Sequence, residues 1–201
     1  MKKIAIVVYD NSSNFEAIVN YLNLKTNKVD IICISYLSDS KALEKAKELN
    51  IQTLYLPQSA FVEYFSKNKF DLCILSDYYC KIPENLLEIN KFISAYPSLL
   101  PAFFCENPIQ AAFDYKVKVT GVSIYYLSTE LNKFNIIAQY PVFVDFLMNL
   151  DDLEHSINNV TKKLYPIVIE SILNEQVFDF AEVMNQSYKT KGCCSNASCC
   201  G

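Results

Sequence analysis

The sequence predicts an α/β domain built on a single doubly wound, mostly parallel sheet flanked by helices. Short continuous apolar runs, of the kind buried on both faces of a parallel sheet, alternate along the chain with segments of helical periodicity. The chain has 201 residues, of which 51% are hydrophobic, and this is enough for one domain with a large core. Seven strands are expected.

The individual elements follow from these two periods. The apolar runs that predict strands are residues 4–9 (IAIVVY), 29–35 (VDIICIS), 71–76 (DLCILS), 122–127 (VSIYYL) and 135–144 (NIIAQYPVFV). A further apolar strand leads into the segment SAYPSLLP, residues 94–101. Apolar residues at steps of three or four predict helices over residues 14–22, 41–49 and about 151–173, and Asn107-Pro108 is expected to start a short helix over 109–113. Pro166 is expected to kink the last helix.

Composition and charge exclude several classes of protein. The formal net charge is −4, and every basic residue other than the single histidine is lysine, since the chain contains no arginine. Such a chain has neither the basic excess nor the guanidinium groups that nucleic-acid binding uses. Asp10 interrupts the apolar run near the N-terminus, which favours a strand over a secretory leader. No segment approaches the roughly 20 apolar residues of a membrane span, so we expect a cytoplasmic protein with a small-molecule ligand and no membrane partner.

The eight cysteines form two groups. Cys33, Cys73, Cys80 and Cys105 occur singly in or near predicted strands, where buried reduced thiols are expected. The other four, Cys193, Cys194, Cys199 and Cys200, lie in the C-terminal GCCSNASCC segment. Residues 1–184 are therefore interpreted as the domain and residues 185–201 as a flexible cysteine-rich tail. The tail is open to three interpretations: a metal site for a soft or borderline ion, a redox-active thiol pair, or no specific role.

Several segments, in order, resemble phosphoribosylglycinamide formyltransferase. YDNSSNFEAI (9–18) is similar to that family's Ser-Gly-x-Gly-Ser-Asn opening, and ILSDYYCKIPENLL (74–87) to its folate-binding strand and loop. SAYPSLLP is similar to Asn-x-His-Pro-Ser-Leu-Leu-Pro. Residues 117–142 are similar to Gly-Val-Thr-x-His-x-x-x-x-Glu-x-Asp-x-Gly-x-Ile-Ile-Ala-Gln, and LYP (164–166) matches the last helix. The resemblance spans about residues 1–180 and implies the formyltransferase fold.

The resemblance also implies a reaction and its ligands. In the family, an amine of glycinamide ribonucleotide attacks the formyl group of 10-formyltetrahydrofolate, a step of purine biosynthesis. Carried over position by position, substrate contacts fall on Asn11, Ser12, Ser13 and Asn14, and folate contacts on Tyr78, Cys80, Lys81, Ile82, Thr129 and Glu130. Asp10 and Ser12 stand where the family has glycines. Asp10 would repel a phosphate unless its side chain turned away.

The catalytic positions differ from the family pattern. The family's Asn, His and Asp correspond to Ser94, Tyr96 and Asn132. A phenol with a reference pKa near 10 does not replace an imidazolium, and an amide does not carry the charge of an Asp. We therefore expect a phosphoribosylglycinamide formyltransferase-like protein whose ancestral transfer is very weak or absent. The alternative is a binding, regulatory or metal- and thiol-handling protein that uses the old cleft or the tail.

Three residues carry competing interpretations. The Tyr96 ring fills the room left by a smaller His, offers a stacking surface, or acts as an acid. Glu130 follows the VSIYYL strand at its carboxyl end, where a ligand contact is expected, but it is equally consistent with a solvated loop charge. His155, the only histidine, is expected to be structural and hydrogen-bonded near the start of the long helix.

Overall fold

The computed structural model describes residues 1–10, 13–25, 29–76, 82–129, 134–176 and 178. Seven strands and six α-helices lie in these ranges. The strands are β1 (Lys2–Val8), β2 (Val29–Ser35), β3 (Gln52–Tyr55), β4 (Leu72–Ser76), β5 (Phe92–Tyr96), β6 (Val119–Tyr126) and β7 (Asn135–Phe143). The helices are α1 (Ser13–Leu24), α2 (Lys41–Glu48), α3 (Phe61–Lys67), α4 (Glu84–Ile89), α5 (Pro108–Asp114) and α6 (Leu150–Leu173), with a 3₁₀ turn at Gln58–Ala60.

The strands form one sheet in the order β3-β2-β1-β4-β5-β6-β7. The first five are parallel, and β6 and β7 are antiparallel to their neighbours. This confirms the expected fold class and the seven strands. The sheet order reverses direction between β1 and β4, which is the position where doubly wound proteins bind ligands beyond the carboxyl ends of the strands.

Both faces of the sheet are covered, which explains the continuous apolar runs. Residues 4–8 of β1 are fully buried, with alternate side chains directed to opposite faces. One face carries α1, α2 and α6 over Ile4, Ile6 and Val8. The other carries α3 and α4 over Ala5 and Val7.

The long helix α6 is fixed at its start and near its middle. Asn149 and Asp152 form a capping box, in which each side chain accepts the other residue's backbone N–H. Further along, the Tyr165 side chain is 1% exposed. Its hydroxyl lies 3.0 Å from the carbonyl oxygen of Ile93 and 3.2 Å from that of Leu75, on the adjacent strands β5 and β4. Pro166 lies inside the helix.

One local expectation is confirmed and another needs correction. The predicted helix after Asn107-Pro108 is confirmed as α5, with Pro108 in the first turn. His155 is exposed on α6, and the described contacts include no hydrogen bond of its side chain, so the expected structural hydrogen bond is not found. Asn149 and Asp152 make the polar contacts at that end instead, because the capping positions precede His155. Among the described residues, no helix has the length and apolar character needed to cross a membrane.

Gly121 is required by a close approach of β6 to its neighbours. A Cβ atom at this position would lie 2.1 Å from the carbonyl oxygen of Tyr140 on β7 and 2.8 Å from Cδ2 of Leu99. We expect Gly121→Ala to lower the free energy of unfolding by about 1–3 kcal/mol, because overpacking displaces backbone as well as side chain. Urea denaturation measures this loss. Val119→Ala, at a 42% exposed position on the same strand, is the control, and equal losses in the two variants would contradict the argument.

Candidate functional site

The described part of the candidate site lies at the carboxyl ends of β1, β4 and β5. Ser13 is the first residue of α1 and Asn14 the second, directly after the loop that follows β1. Ile82 lies between β4 and α4, and Ser94 and Tyr96 lie on β5. Because β1, β4 and β5 are adjacent and parallel, these segments share one edge of the sheet, as the sequence predicts.

The loop after β5 is held against the sheet by one hydroxyl. The Ser123 hydroxyl on β6 donates to the carbonyl oxygen of Ser98 at 2.6 Å and accepts the backbone N–H of Leu100 at 2.9 Å. The amide nitrogen Nε2 of Gln139, on β7, donates to this same hydroxyl and to the carbonyl oxygen of Leu100, both at 2.9 Å. Ser98 in turn donates to Ala102 at 2.6 Å. The retained residues Ser98, Leu100 and Gln139 are thus joined by Ser123, which stands where the motif has Thr. Together these bonds fix the course of the chain beyond Tyr96.

Ser94 and Tyr96 lie on the same face of β5, two residues apart. Each is 8% exposed. In the antiparallel pairing with β6, Ser94 lies opposite Tyr125 and Tyr96 opposite Ser123. The residues that correspond to the family's Asn and His are therefore neighbours, and both lie beside the segment that anchors the loop.

The Tyr96 hydroxyl is committed to the backbone of the following loop. It donates to the carbonyl oxygen of Cys105 at 2.7 Å and accepts the backbone N–H of Cys105 at 3.0 Å. The carbonyl oxygen of Phe103 is a more distant acceptor at 3.3 Å. Burial raises the pKa of the Tyr96 phenol above its usual value, and the hydrogen bond to Cys105 only partly offsets this effect. The phenol is thus a neutral structural group near pH 7, in line with the space-filling interpretation.

An aromatic cluster occupies the space next to Tyr96. The Tyr96 ring lies 5.5 Å from that of Phe104, and Phe104 lies 4.9 Å from Phe134 in an edge-to-face arrangement. Phe134 also meets Tyr125, at 6.0 Å. In the motif to which residues 117–142 are similar, Tyr125 falls on a His and Phe134 on a Gly. These two positions were not among the predicted site residues, although an aromatic ring in place of a glycine can be recognised from the sequence alone.

The direction of β6 places its carboxyl end away from the ends of the parallel strands. Because β6 is antiparallel to β5, its end at Tyr126 lies opposite Ile93, near the start of β5. Tyr126 pairs with Asn135, the first residue of β7. The ring of the preceding residue, Phe134, contacts Phe104. Thr129 is exposed just after β6.

The loop after β1 directs its acidic side chain toward α2. An oxygen of the Asp10 carboxylate accepts the backbone N–H of Lys41 at 3.1 Å, at the first residue of α2. Next to it, the Ser40 hydroxyl accepts the N–H of Ala42 at 3.2 Å. The negative charge of Asp10 is thereby engaged with the helix N-terminus, where it is favourable. The Asp10 side chain is thus directed toward α2, and a phosphate beside the loop would meet less repulsion from it than from a carboxylate turned toward the loop.

Several predicted contacts lie outside the described residues. They are Asn11, Ser12, Tyr78, Cys80, Lys81, Glu130, Asn132 and the tail residues Cys193, Cys194, Cys199 and Cys200. Of the predicted folate contacts, Ile82 and Thr129 are described. The Ile82 side chain is 4% exposed and belongs to the core under α3 and α4, so it is packed in the domain interior.

The described cysteines differ in exposure. Cys33 and Cys73 are buried as expected, but Cys105 is exposed, so that expectation was wrong. Cys105 follows β5 by nine residues and lies in a surface loop, not on a strand. Within the described ranges, no three His, Cys, Asp or Glu side chains are grouped so that they could hold a metal ion.

The contribution of the Tyr96 hydroxyl to stability can be measured with the variant Tyr96→Phe. We expect the variant to lose about 1 kcal/mol of unfolding free energy at neutral pH, since the ring stays but the hydrogen bonds to Cys105 are lost. Because the folded pKa is raised, the contribution of the phenol is fully present below about pH 10 and is lost as the pH rises through the folded pKa. The wild type should therefore destabilise more steeply than the variant above pH 10 in denaturant titrations. Tyr115→Phe, at a 78% exposed ring, is the control and should match the wild type. An unchanged slope in Tyr96→Phe would contradict the assignment.

The accessibility of the three described cysteines can be measured by alkylation followed by peptide mass spectrometry. Burial raises the pKa of Cys33 to about 12 and also raises that of Cys73, so both thiols stay protonated and inaccessible in the folded state. We expect iodoacetamide at pH 8 to label Cys105 in the native protein and to reach Cys33 and Cys73 only in denaturant. Equal native labelling of Cys33 and Cys105 would overturn the burial pattern.

Comparison with known proteins agrees with this geometry. A family model described as formyl transferase matches residues 2–169. Phosphoribosylglycinamide formyltransferase of Bacillus subtilis is 31% identical over 188 residues, which cover 86% of this chain and 95% of the relative. The crystal structure of phosphoribosylglycinamide formyltransferase from Bacillus halodurans superposes with a TM-score of 0.77 at 26% identity and covers 86% of this chain and 95% of that chain. The Anaplasma phagocytophilum structure of the same name has a TM-score of 0.78 at 24% identity, over 86% of this chain and 87% of that chain. The chain therefore belongs to the formyltransferase family.

Proposed function

We propose that this chain is a phosphoribosylglycinamide formyltransferase-like protein in which the ancestral formyl transfer is very weak or absent. The similarity to the Bacillus subtilis enzyme over most of both chains supports the ancestry. By that resemblance, the reaction is formyl transfer from 10-formyltetrahydrofolate to the amine of glycinamide ribonucleotide, in purine biosynthesis. The replaced positions Ser94, Tyr96 and Asn132 support the loss of rate.

The observation that carries the proposal is the state of the Tyr96 hydroxyl. Formyl transfer needs a group that stabilises negative charge on the formyl oxygen and a group that manages a proton. The Tyr96 hydroxyl donates to Cys105, so its one proton is not available to a substrate oxygen without breaking that bond. Ser94 retains a single hydroxyl donor. Loss of one oxyanion donor costs about 10²–10³ in rate, and loss of the whole set roughly 10⁴ or more.

A second candidate function is a binding or regulatory role for the remodelled cleft. The Phe104 ring contacts the rings of both Tyr96 and Phe134. Tyr96 stands where the family pattern has a His, and Phe134 where it has a Gly. Replacing polar and small residues by rings removes reacting groups but adds apolar contact surface. This change favours retention of a ligand over its conversion.

Direct measurement of turnover tests the first proposal. We expect glycinamide ribonucleotide formylation by this chain to be at least about 10⁴-fold below that of the Bacillus subtilis enzyme assayed in parallel. Turnover in the usual enzymatic range of roughly 1–10³ per second would refute the proposal. Thermal shifts with a folate and with glycinamide ribonucleotide separate a ligand-retaining cleft from an empty one, because a ligand that binds only the folded state raises its stability.

Rebuilding the catalytic set provides a gain-of-function test. We expect Ser94→Asn, Tyr96→His and Asn132→Asp together to gain formyl transfer that no single variant shows, because an imidazole without its Asp lacks orientation. Two further changes, Phe134→Gly and Tyr125→His, restore the family's residues at two positions of the aromatic cluster. Asp10→Gly and Ser12→Gly are added in parallel to restore the family's phosphate loop.

The control for this series is the same set with Asn132 unchanged. A gain of about 10²–10⁴-fold in the full set over that control is expected if the carboxylate at position 132 orients the imidazole for proton transfer. Folate binding without any gain in the full set would show that the cleft has been remodelled for another ligand. Absence of folate binding in every variant would count against one-carbon chemistry for this cleft.

A further inference from the structure

A cleft of ≈ 330 Å³ opens beside the aromatic cluster, where β5 ends and α5 begins. It is lined by Tyr96, Pro97, Phe104, Cys105, Glu106 and Pro108. Its volume lies at the small end of the range for ligand sites, about 300–1,000 Å³. It therefore suits a molecule about the size of a single ring with a short substituent.

The walls of this cleft are held in place from several sides. Tyr96 exchanges two hydrogen bonds with the backbone of Cys105, so the segment that carries Phe104, Cys105 and Glu106 is tied to β5. Pro108 is buried in the first turn of α5, and Pro97 begins the loop that Ser123 holds through Ser98. A cleft with preformed walls binds with less loss of conformational entropy than one that must be ordered by its ligand.

The charges of the lining residues select for a cation. Glu106 supplies a carboxylate, and none of the described lining residues is a lysine. The faces of aromatic rings such as Tyr96 and Phe104 attract positive charge through their quadrupoles. Pro108 has no backbone N–H to offer to an anion. From the lining residues that the structure describes, a phosphate would meet repulsion by Glu106 and no compensating positive charge.

We infer that this cleft binds a small organic cation, a primary ammonium on a flat or apolar body that carries no phosphate. The inference rests on the proposed function, because it assigns the ligand class of the remodelled cleft. The ammonium pairs with the Glu106 carboxylate, and the apolar body lies against Phe104 and the two prolines. The ligand thus keeps the amine of the family's acceptor and lacks its phosphate.

Three probes of matched shape test the charge preference: benzylamine, benzyl alcohol and benzoate. Titrations of the wild-type chain followed by NMR chemical shifts should show that benzylammonium binds more tightly than benzyl alcohol, and that benzoate and inorganic phosphate bind weakest. Glu106→Gln should weaken benzylammonium binding by about two- to fivefold, the usual size of an exposed ion pair, and leave benzyl alcohol unchanged. Phe104→Leu should weaken benzylammonium more than benzyl alcohol, since it removes the ring face and keeps most of the apolar contact.

Matched control variants are available on the same chain. Glu88→Gln removes an exposed carboxylate of α4, and Phe146→Ala removes an 81% exposed ring outside the cleft. Neither should change benzylammonium binding. The inference is overturned if benzoate or phosphate binds as tightly as benzylammonium, if benzylammonium does not saturate, or if Glu88→Gln weakens binding as much as Glu106→Gln. Formyl transfer is measured on the same preparations, so enzymatic turnover would refute the proposed function, whereas failed binding without turnover would refute only this inference.

Discussion

The Ser123 hydroxyl holds the loop after β5 against β6 and β7, and the shape of the cleft depends on this attachment. Through one oxygen it bonds Ser98, Leu100 and Gln139. If these bonds were absent, the backbone N–H of Leu100 would be left unsatisfied in a buried place, which costs about 1–3 kcal/mol. Gly121, two residues before Ser123, lets β7 and Leu99 approach closely enough for these bonds to form.

This attachment depends on the motif segments that the chain retains. The retained Pro-Ser-Leu-Leu-Pro and Ile-Ile-Ala-Gln segments supply groups that bond to one another, so their loss would destabilise the fold. Ser94 and Tyr96 lie on the same face of β5 but are not part of that set of bonds. Tyr96 instead holds the far end of the loop through Cys105. The first half of the loop is therefore attached to the sheet through Ser123, and its second half through the Tyr96 hydroxyl.

Much of the fold follows from sequence periodicity, but the site follows only in part. Continuous apolar runs predict β1, β2 and β4 because those strands are buried on both faces. The strand β3 was not identified individually, since Gln52–Tyr55 is short and only partly buried. Periodicity also carries no information about strand direction, so the antiparallel course of β6 and β7 could not be read from the apolar runs. The contact of Phe104 with Phe134 joins residues 30 positions apart, and the exposure of Cys105 depends on a loop that no local pattern specifies.

The position of α6 has a consequence for synthesis on the ribosome. Leu164, Val168 and Ile169 of this helix cover the same core as Ile4, Ile6 and Val8, and Tyr165 spans β4 and β5. The first strand to be made is therefore covered by the last of the described helices. At about 5–20 residues per second, the chain takes roughly 10–30 s to extend from β1 to the end of α6. During that interval one apolar face of the growing sheet is incompletely covered, because the residues of α6 that pack on it have not yet been synthesised.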